Sequence, residues 1–140
     1  MVNFDSLANL PEYLLFLGVG LAVWLVALVI YEFVTPIREL AEIRKGNIAV
    51  AINFFAVAIA LALPIQAVGH STFNPGDMLL WGGIGALCQI VVHLIVRTFW
   101  KQTYARLQGS ETEKPCIAAA LLLSSVSLVV GMVNAAALSY

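Results

Sequence analysis

Residues 35–47 read TPIRELAEIRKGN, and the rest of the chain is organised around them. These thirteen residues hold five of the fifteen charged side chains, and a long apolar run lies on either side. Pro36 has no N–H to continue a helix arriving from residues 13–34, so the first run stops here. Thr35 suits an N-cap and Pro36 a first helical position. Ile37, Leu40, Ala41 and Ile43 recur at three- and four-residue steps, while Arg38, Glu39, Glu42 and Lys45 fill the other face. That spacing predicts a short amphipathic helix lying in a membrane interface. Arg38 and Glu42 stand at i, i+4, within pairing reach. Gly46 suits the C-cap, and Asn47 the N-cap of the next helix.

The flanking runs identify the solvent. The chain has 140 residues, 61% hydrophobic and 11% charged, and its mean hydropathy is +0.95. A soluble domain carries about 25% charged residues, so lipid is the medium this composition fits. A net charge of −1 excludes the basic patch of a nucleic-acid binder. Charge-free intervals cover 13–31, 46–76, 78–96 and 115–140. About 20 apolar residues cross the hydrocarbon as a helix. Four transmembrane helices follow, near Tyr13–Val34, Ile48–Val68, Met78–Trp100 and Cys116–Leu138. The runs lack the period-2 alternation of a barrel strand, and lipid permits helices or closed barrels alone. The first run is a retained helix rather than a signal peptide: Asp5 and Glu12 precede it where a basic segment belongs, and it runs into Glu32 without a small-residue cleavage site. The expected architecture is all-α, one membrane domain over residues 1–140.

Charge placement sets an expected orientation. Arg38, Arg44 and Lys45 join spans one and two; Arg97, Lys101, Arg106 and Lys114 join spans three and four. The other connection and both tails have no Lys or Arg. By the positive-inside rule the loops 35–47 and 101–114 face the cytoplasm and both termini face outward, in the plasma (inner) membrane of a bacterium. Trp81 near the outer end, and Phe99 with Trp100 at the inner end, suit interfacial aromatic belts. Cys88 and Cys116 make no metal spacing and read as buried small apolar residues.

Polar residues inside the spans are the candidate site. Glu32 closes span one, where it either snorkels or pairs with a base of span three. Span two carries Asn53 and Pro64, the latter a kink position. In span three Gln89, His93 and Arg97 fall at i, i+4 and i+8, stacked on one face from mid-membrane to the inner edge. Asp77 is a plausible N-cap for that span. Asn134 lies near the end of span four. Small residues mark the candidate packing faces: Gly18 with Ala22; Gly82, Gly83 and Gly85; Ser127 with Gly131. An offset of 65 sets Phe16–Gly20 against Trp81–Gly85 and Glu32 against Arg97. An offset of 68 sets Gln66-Ala67 against Asn134-Ala135. The chain therefore reads as two tandem two-helix repeats, about 13–69 and 77–140, related by an axis along the membrane normal.

Thr35-Pro36, Glu39-Leu40, Ile43 and Gly46-Asn47-x-Ala49-x-Ala51-Ile52 resemble the signature of the YjfL-like family, domain of unknown function 350. Leu63-Pro64, Asp77-x-x-x-Trp81-Gly82, Gln89, Gly131 and Asn134-Ala135-Ala136 extend the resemblance over nearly the whole chain. It implies a small four-helix bacterial inner-membrane protein with no assigned activity, from gene neighbourhoods linked to envelope stress or polyamines. This chain departs from the pattern at Asn53-Phe54, which precede Ala56 and Ala60 where the family often has glycine. The resemblance carries over no catalytic residue.

Two functional readings follow from the residues themselves. The first is a non-catalytic, oligomeric membrane scaffold. Its interfacial surface of Arg38, Glu39, Glu42, Arg44 and Lys45 would hold anionic lipid or a cytoplasmic protein partner. The second is a channel subunit or small transporter, with a polar path along Glu32, Asn53, Gln89, His93, Arg97 and Asn134. No HExxH, paired Asp or Ser–His–acid set is present. No enzyme, cofactor, metal or nucleic-acid partner is therefore expected. The lipid bilayer and further copies of the chain are the expected partners.

Overall fold

The computed structural model describes residues 4–72 and 74–139. Tyr140, the last residue of the expected second repeat, lies outside them. A 3-10 turn, Phe4–Asn9, leads into α1, Leu10–Val34. Then come α2, Glu39–Arg44; α3, Ile48–Ser71; α4, Pro75–Phe99; α5, Lys101–Gln108; and α6, Ile117–Leu138. The four long helices are each long and apolar enough to cross a membrane. Each half of the chain thus runs long helix, short helix, long helix. Every Lys and Arg lies at one end of the bundle, called here the basic end.

The caps differ from the sequence reading at two places. Thr35 does not open α2; it closes α1, where its Oγ donates to the Tyr31 carbonyl at 2.9 Å. Pro36 sits in the bend that follows, and α2 starts at Glu39. The acceptor for the Leu40 N–H comes instead from the Glu32 carboxylate on α1, at 3.2 Å. At α4 the N-cap is Asn74, whose Oδ1 accepts from the Gly76 N–H at 2.9 Å. Asp77 lies in the first turn and accepts from the Thr72 hydroxyl at 3.2 Å. Asn47 does cap α3, accepting from the Val50 N–H at 3.1 Å. Gly46 turns the chain at φ 87°, a conformation that favours glycine.

Helix α3 is the centre of the packing. It touches all three other long helices and makes its longest contact with α6. Lipid offers no hydrophobic drive for helices to associate, so close van der Waals contact and hydrogen bonds decide the seams. At the α3–α6 seam a Cβ on Gly131 would stand 2.9 Å from both the Cα and the carbonyl oxygen of Ala60. Between α4 and α3, a Cβ on Gly85 would meet the Pro64 ring at 2.8 Å. Pro64 is buried, and α3 continues past it to Ser71. Trp24 on α1 donates its indole N–H to the Ala58 carbonyl of α3 at 2.9 Å. Gly18 and Gly83 have open space around them, and Ala22 is exposed. Cys88 is exposed too and Cys116 half-buried, against the expectation of burial. Bare apolar atoms cost nothing in lipid, so neither side chain needs covering.

Helix α5 forms within the 101–114 connection between the third and fourth spans. Its buried residues Tyr104 and Leu107 join Ala49, Val50, Ala120 and Leu123 in one cluster beneath α3 and α6. The Cys116 N–H then bonds the Arg106 carbonyl at 2.9 Å, which ties α6 to α5.

The two kinds of small-residue position should behave oppositely. Gly131→Ala should lower the thermal midpoint by several degrees, since its new methyl meets backbone that cannot turn aside, at about 1–3 kcal/mol for overpacking. Gly18→Ala should leave the midpoint unchanged or raise it, because alanine is the better helix former by about 1 kcal/mol. Thermal melts of the purified variants in one detergent check both.

Candidate functional site

The site is a polar cluster buried where the long helices meet the two short ones. Five of the six α-helices contribute to it. Tyr31, on the last turns of α1, is fully buried and faces inward. The bend at 35–37 turns the chain back beneath it. The first residue of α2 then sends its carboxyl up: the Tyr31 hydroxyl donates to Glu39 Oε1 at 2.6 Å. Glu39 is 1% exposed while its neighbour Leu40 is 47% exposed. The expected polar face of α2 is therefore wrong at this residue: the acid points in, and Leu40 and Ala41 point out. Glu42 pairs with Lys45 at 2.9 Å rather than with Arg38. Arg38, Arg44 and Lys45 are exposed.

The other walls come from α3, α4 and α5. Asn53 on α3 is 0% exposed, and neither of its side-chain polar atoms makes a hydrogen bond. His93 on α4 is buried between two phenol rings. Its ring centroid lies 4.9 Å from Tyr31 and 5.5 Å from Tyr104, edge-on in both cases. Its Nδ1 is 3.5 Å from the Tyr104 hydroxyl. The Arg97 guanidinium carbon stands 5.1 Å from the centroid of the Tyr104 ring, a cation–π contact. Among the described residues Arg97 forms no ion pair with Glu32, although the two share the basic end. Asn47 fastens the assembly from below, donating its amide to the Leu107 carbonyl at 3.0 Å.

Deeper in the bundle the polar groups bond to backbone across helices. Gln89 Nε2 donates to the Ser127 carbonyl of α6 at 3.2 Å. Asn134 donates to the Gly85 carbonyl of α4 at 2.8 Å. Ser124 donates to the Ile52 carbonyl of α3 at 3.3 Å. A cavity of about 10 Å³ is bounded by Gln89, His93, Tyr104 and Ser127. That is the size of one water molecule, not of a column.

Burial dominates the electrostatics. It pushes the Glu39 carboxyl up to about 7 from an ordinary 4.5. The Tyr31 hydrogen bond, Arg97 and Asn53 work against that rise, and the charge of Glu32 adds to it. Burial also pushes Tyr104 up to about 12, opposed by Arg97. The phenol stays neutral, while the carboxyl changes charge near neutrality. Because its folded value is raised, Glu39 favours the docked state most at pH below 4.5 and loses that contribution as pH climbs to about 7. Several buried atoms here make no hydrogen bond: Glu32 Oε2, Glu39 Oε2, Asn53 Oδ1 and Nδ2, His93 Nε2 and Arg97 Nη1. Each such atom that no water reaches costs about 1–3 kcal/mol.

The profile of the Domain of Unknown Function (DUF350) matches residues 5–138. The chain belongs to the DUF350 family. It is similar to the UPF0719 inner membrane protein YjfL of Escherichia coli, strain K12, and to the protein of that name in Escherichia coli O157:H7. Identity to each is 25% over 136 residues, which cover 97% of this chain and 97% of the relative. No solved structure matches.

In this DUF350 protein the stripe residues Gln89, His93 and Arg97 have different neighbours. Arg97 and His93 join the aromatic cluster, while Gln89 belongs to the α4–α6 seam. Tyr31, Tyr104 and the inward turn of Glu39 escaped the sequence reading. Tyr104 and Leu107, three residues apart in an otherwise polar stretch, were the available sign of α5.

The Tyr31–Glu39 bond should be measurable as a coupling. At pH 6, Tyr31→Phe and Glu39→Leu, each of which removes one partner of the bond, should interact by about 0.5–1.5 kcal/mol in a double-mutant cycle on unfolding free energy. Additive effects would mean the bond contributes nothing.

Proposed function

We propose that this DUF350 protein is a non-catalytic subunit of an oligomeric assembly in the bacterial inner membrane, presenting its basic end to a cytoplasmic partner. The printed name of its relative, inner membrane protein YjfL, supports the compartment. The seven-to-zero split of Lys and Arg between the two ends supports the orientation. The observation that carries the reading is how the buried polar groups are used. Tyr31, Glu32 and Glu39 hold a six-residue helix that could not persist alone. The held helix displays Arg38, Leu40, Ala41 and Arg44 outward. Phe33 and Phe99, both strongly exposed at this end, suit an interfacial belt around that display. Gly18 and Ala22, exposed on α1, and the half-buried Gly83 of α4 leave room for a second copy to approach closely. The alternation of long and short helices supports the tandem-repeat reading, one membrane domain built of two like halves.

A polar path through the bundle is the competing reading. Gln89 Oε1 and His93 Nε2, buried without partners, favour it; the cavity of about 10 Å³ beside them does not.

Gentle extraction from native membranes, followed by native mass spectrometry, tests the proposal. A fixed multimer is expected, with a partner lost when Arg38 and Arg44 are both changed to Glu. A monomer without partners would overturn the reading. So would ion flux in proteoliposomes that disappears in the His93→Ala, Arg97→Ala double variant.

A further inference from the structure

We propose that Glu39 is a proton-operated latch for the 35–47 connection: with a proton on its carboxyl, α2 stays docked under α1, and without it α2 undocks into the solution at the basic end. This bears on the surface proposed above, and it rests on that reading only for its consequence.

The geometry is that of a latch rather than a permanent strut. Glu39 Oε1 accepts from the Tyr31 hydroxyl, but Oε2 is buried and makes no bond. Ionised, the carboxylate would be a charge held away from water, a cost that the Tyr31 hydroxyl, Arg97 and Asn53 offset only in part. Protonated, it becomes a donor. Asn53, fully buried on α3, is near enough to the carboxyl to bear on its charge. The groups that bear on Glu39 come from every neighbouring element: Tyr31 and Glu32 of α1, Asn53 of α3, Arg97 of α4 and Tyr104 of α5. His93 stands one ring farther off, behind Tyr31. Helix α6 has no charged residue. The Glu32 carboxylate repels an ionised Glu39 and adds to the burial cost, while Arg97 offsets only part of it.

The connection is also built to move locally. Helix α2 has six residues, too few to persist without its docking contacts. A bend at 35–37 precedes it and Gly46, at φ 87°, follows it. Thr35 is bonded to α1 and Asn47 to Leu107, so the ends stay anchored while α2 leaves, at the cost of lifting Ile43 off the Ala49–Val50–Tyr104 cluster. Such opening does not require the long helices to separate. It would uncover Tyr31 and Asn53 and withdraw the outward display of Arg38, Leu40 and Arg44.

Amide hydrogen exchange of the full chain in lipid nanodiscs tests the latch. The pH dependence of intrinsic exchange is first divided out. Between pH 6 and 8.5, the opening constant for amides of residues 40–46 should rise about tenfold in wild type, the ratio set by a carboxyl near 7 docked and near 4.5 released. In Glu39→Gln, a neutral side chain of the same shape, the constant should stay flat at its low-pH value. A flat wild type, or an equal rise in Glu39→Gln, overturns the proposal. If the variant does not fold, wild type alone decides. A rise confined to α2 supports the latch, and an equal rise in α5 shows general loosening and overturns it. The measurement involves no partner, so failure of the assembly reading leaves it standing, and a flat α2 leaves the assembly reading standing.

Discussion

A buried hydrogen bond between a tyrosine and a glutamic acid, eight residues apart, shapes the basic end of this protein. Tyr31 closes α1 from inside the bundle, and Glu39 is the first residue of α2. For the two to meet, the chain must reverse between them, and the Thr35 hydroxyl on the Tyr31 carbonyl makes that reversal tight. Once α2 is held there, Glu32 can cap its Leu40 N–H, and the chain arrives at Asn47 aimed into α3. Asn47 in turn reaches Leu107, which fixes α5 and so carries Tyr104 to His93. The polar contacts at this end join α1, α2, α3, α4 and α5.

The remainder of the bundle uses different physics. In lipid an apolar side chain is as well solvated against the bilayer as against another helix, so hydrophobicity does not select the seams. What selects them is closeness, as where Gly131 rests on the Ala60 backbone, and hydrogen bonds across the gap, as from Asn134 to Gly85 and from Gln89 to Ser127. These polar side chains are spent on neighbouring carbonyls, which is the commonest use of an intramembrane amide. The aromatic cluster differs, because it leaves several buried polar atoms unbonded. That cluster sits where the short helices α2 and α5 meet the long ones.

Much of the fold was legible in the sequence, and the reasons are physical. Four charge-free runs of transmembrane length, interrupted by clusters of charge, leave few alternatives when lipid is the solvent. The Gly46-Asn47 junction was legible too, because cap residues act within their own turn. The inward turn of Glu39 was not. Periodicity assigns a charged residue to the wet face, and nothing local reveals that Tyr31 and Asn53 wait on the other side. Helix α5 was hidden for a similar reason. Tyr104 and Leu107 are a weak pattern until Ala49, Val50, Ala120 and Leu123 are known to lie opposite.

By itself, then, the sequence determined the medium, the number of spans, their common basic end and the turn from α2 into α3. All of these follow from composition and from interactions within a few residues. The tertiary structure alone decided which small-residue stripe is covered, which polar side chains are spent on seams, and which acid is taken out of water. Gly18 and Gly131 look alike along the chain; one stands in open space and the other against a backbone. Glu39 and Glu42 look alike on a helical wheel; one lies under Tyr31 and the other is paired with a lysine at the surface. In each pair the difference is set by a partner far away in sequence or on another helix, so no reading of local pattern contains it.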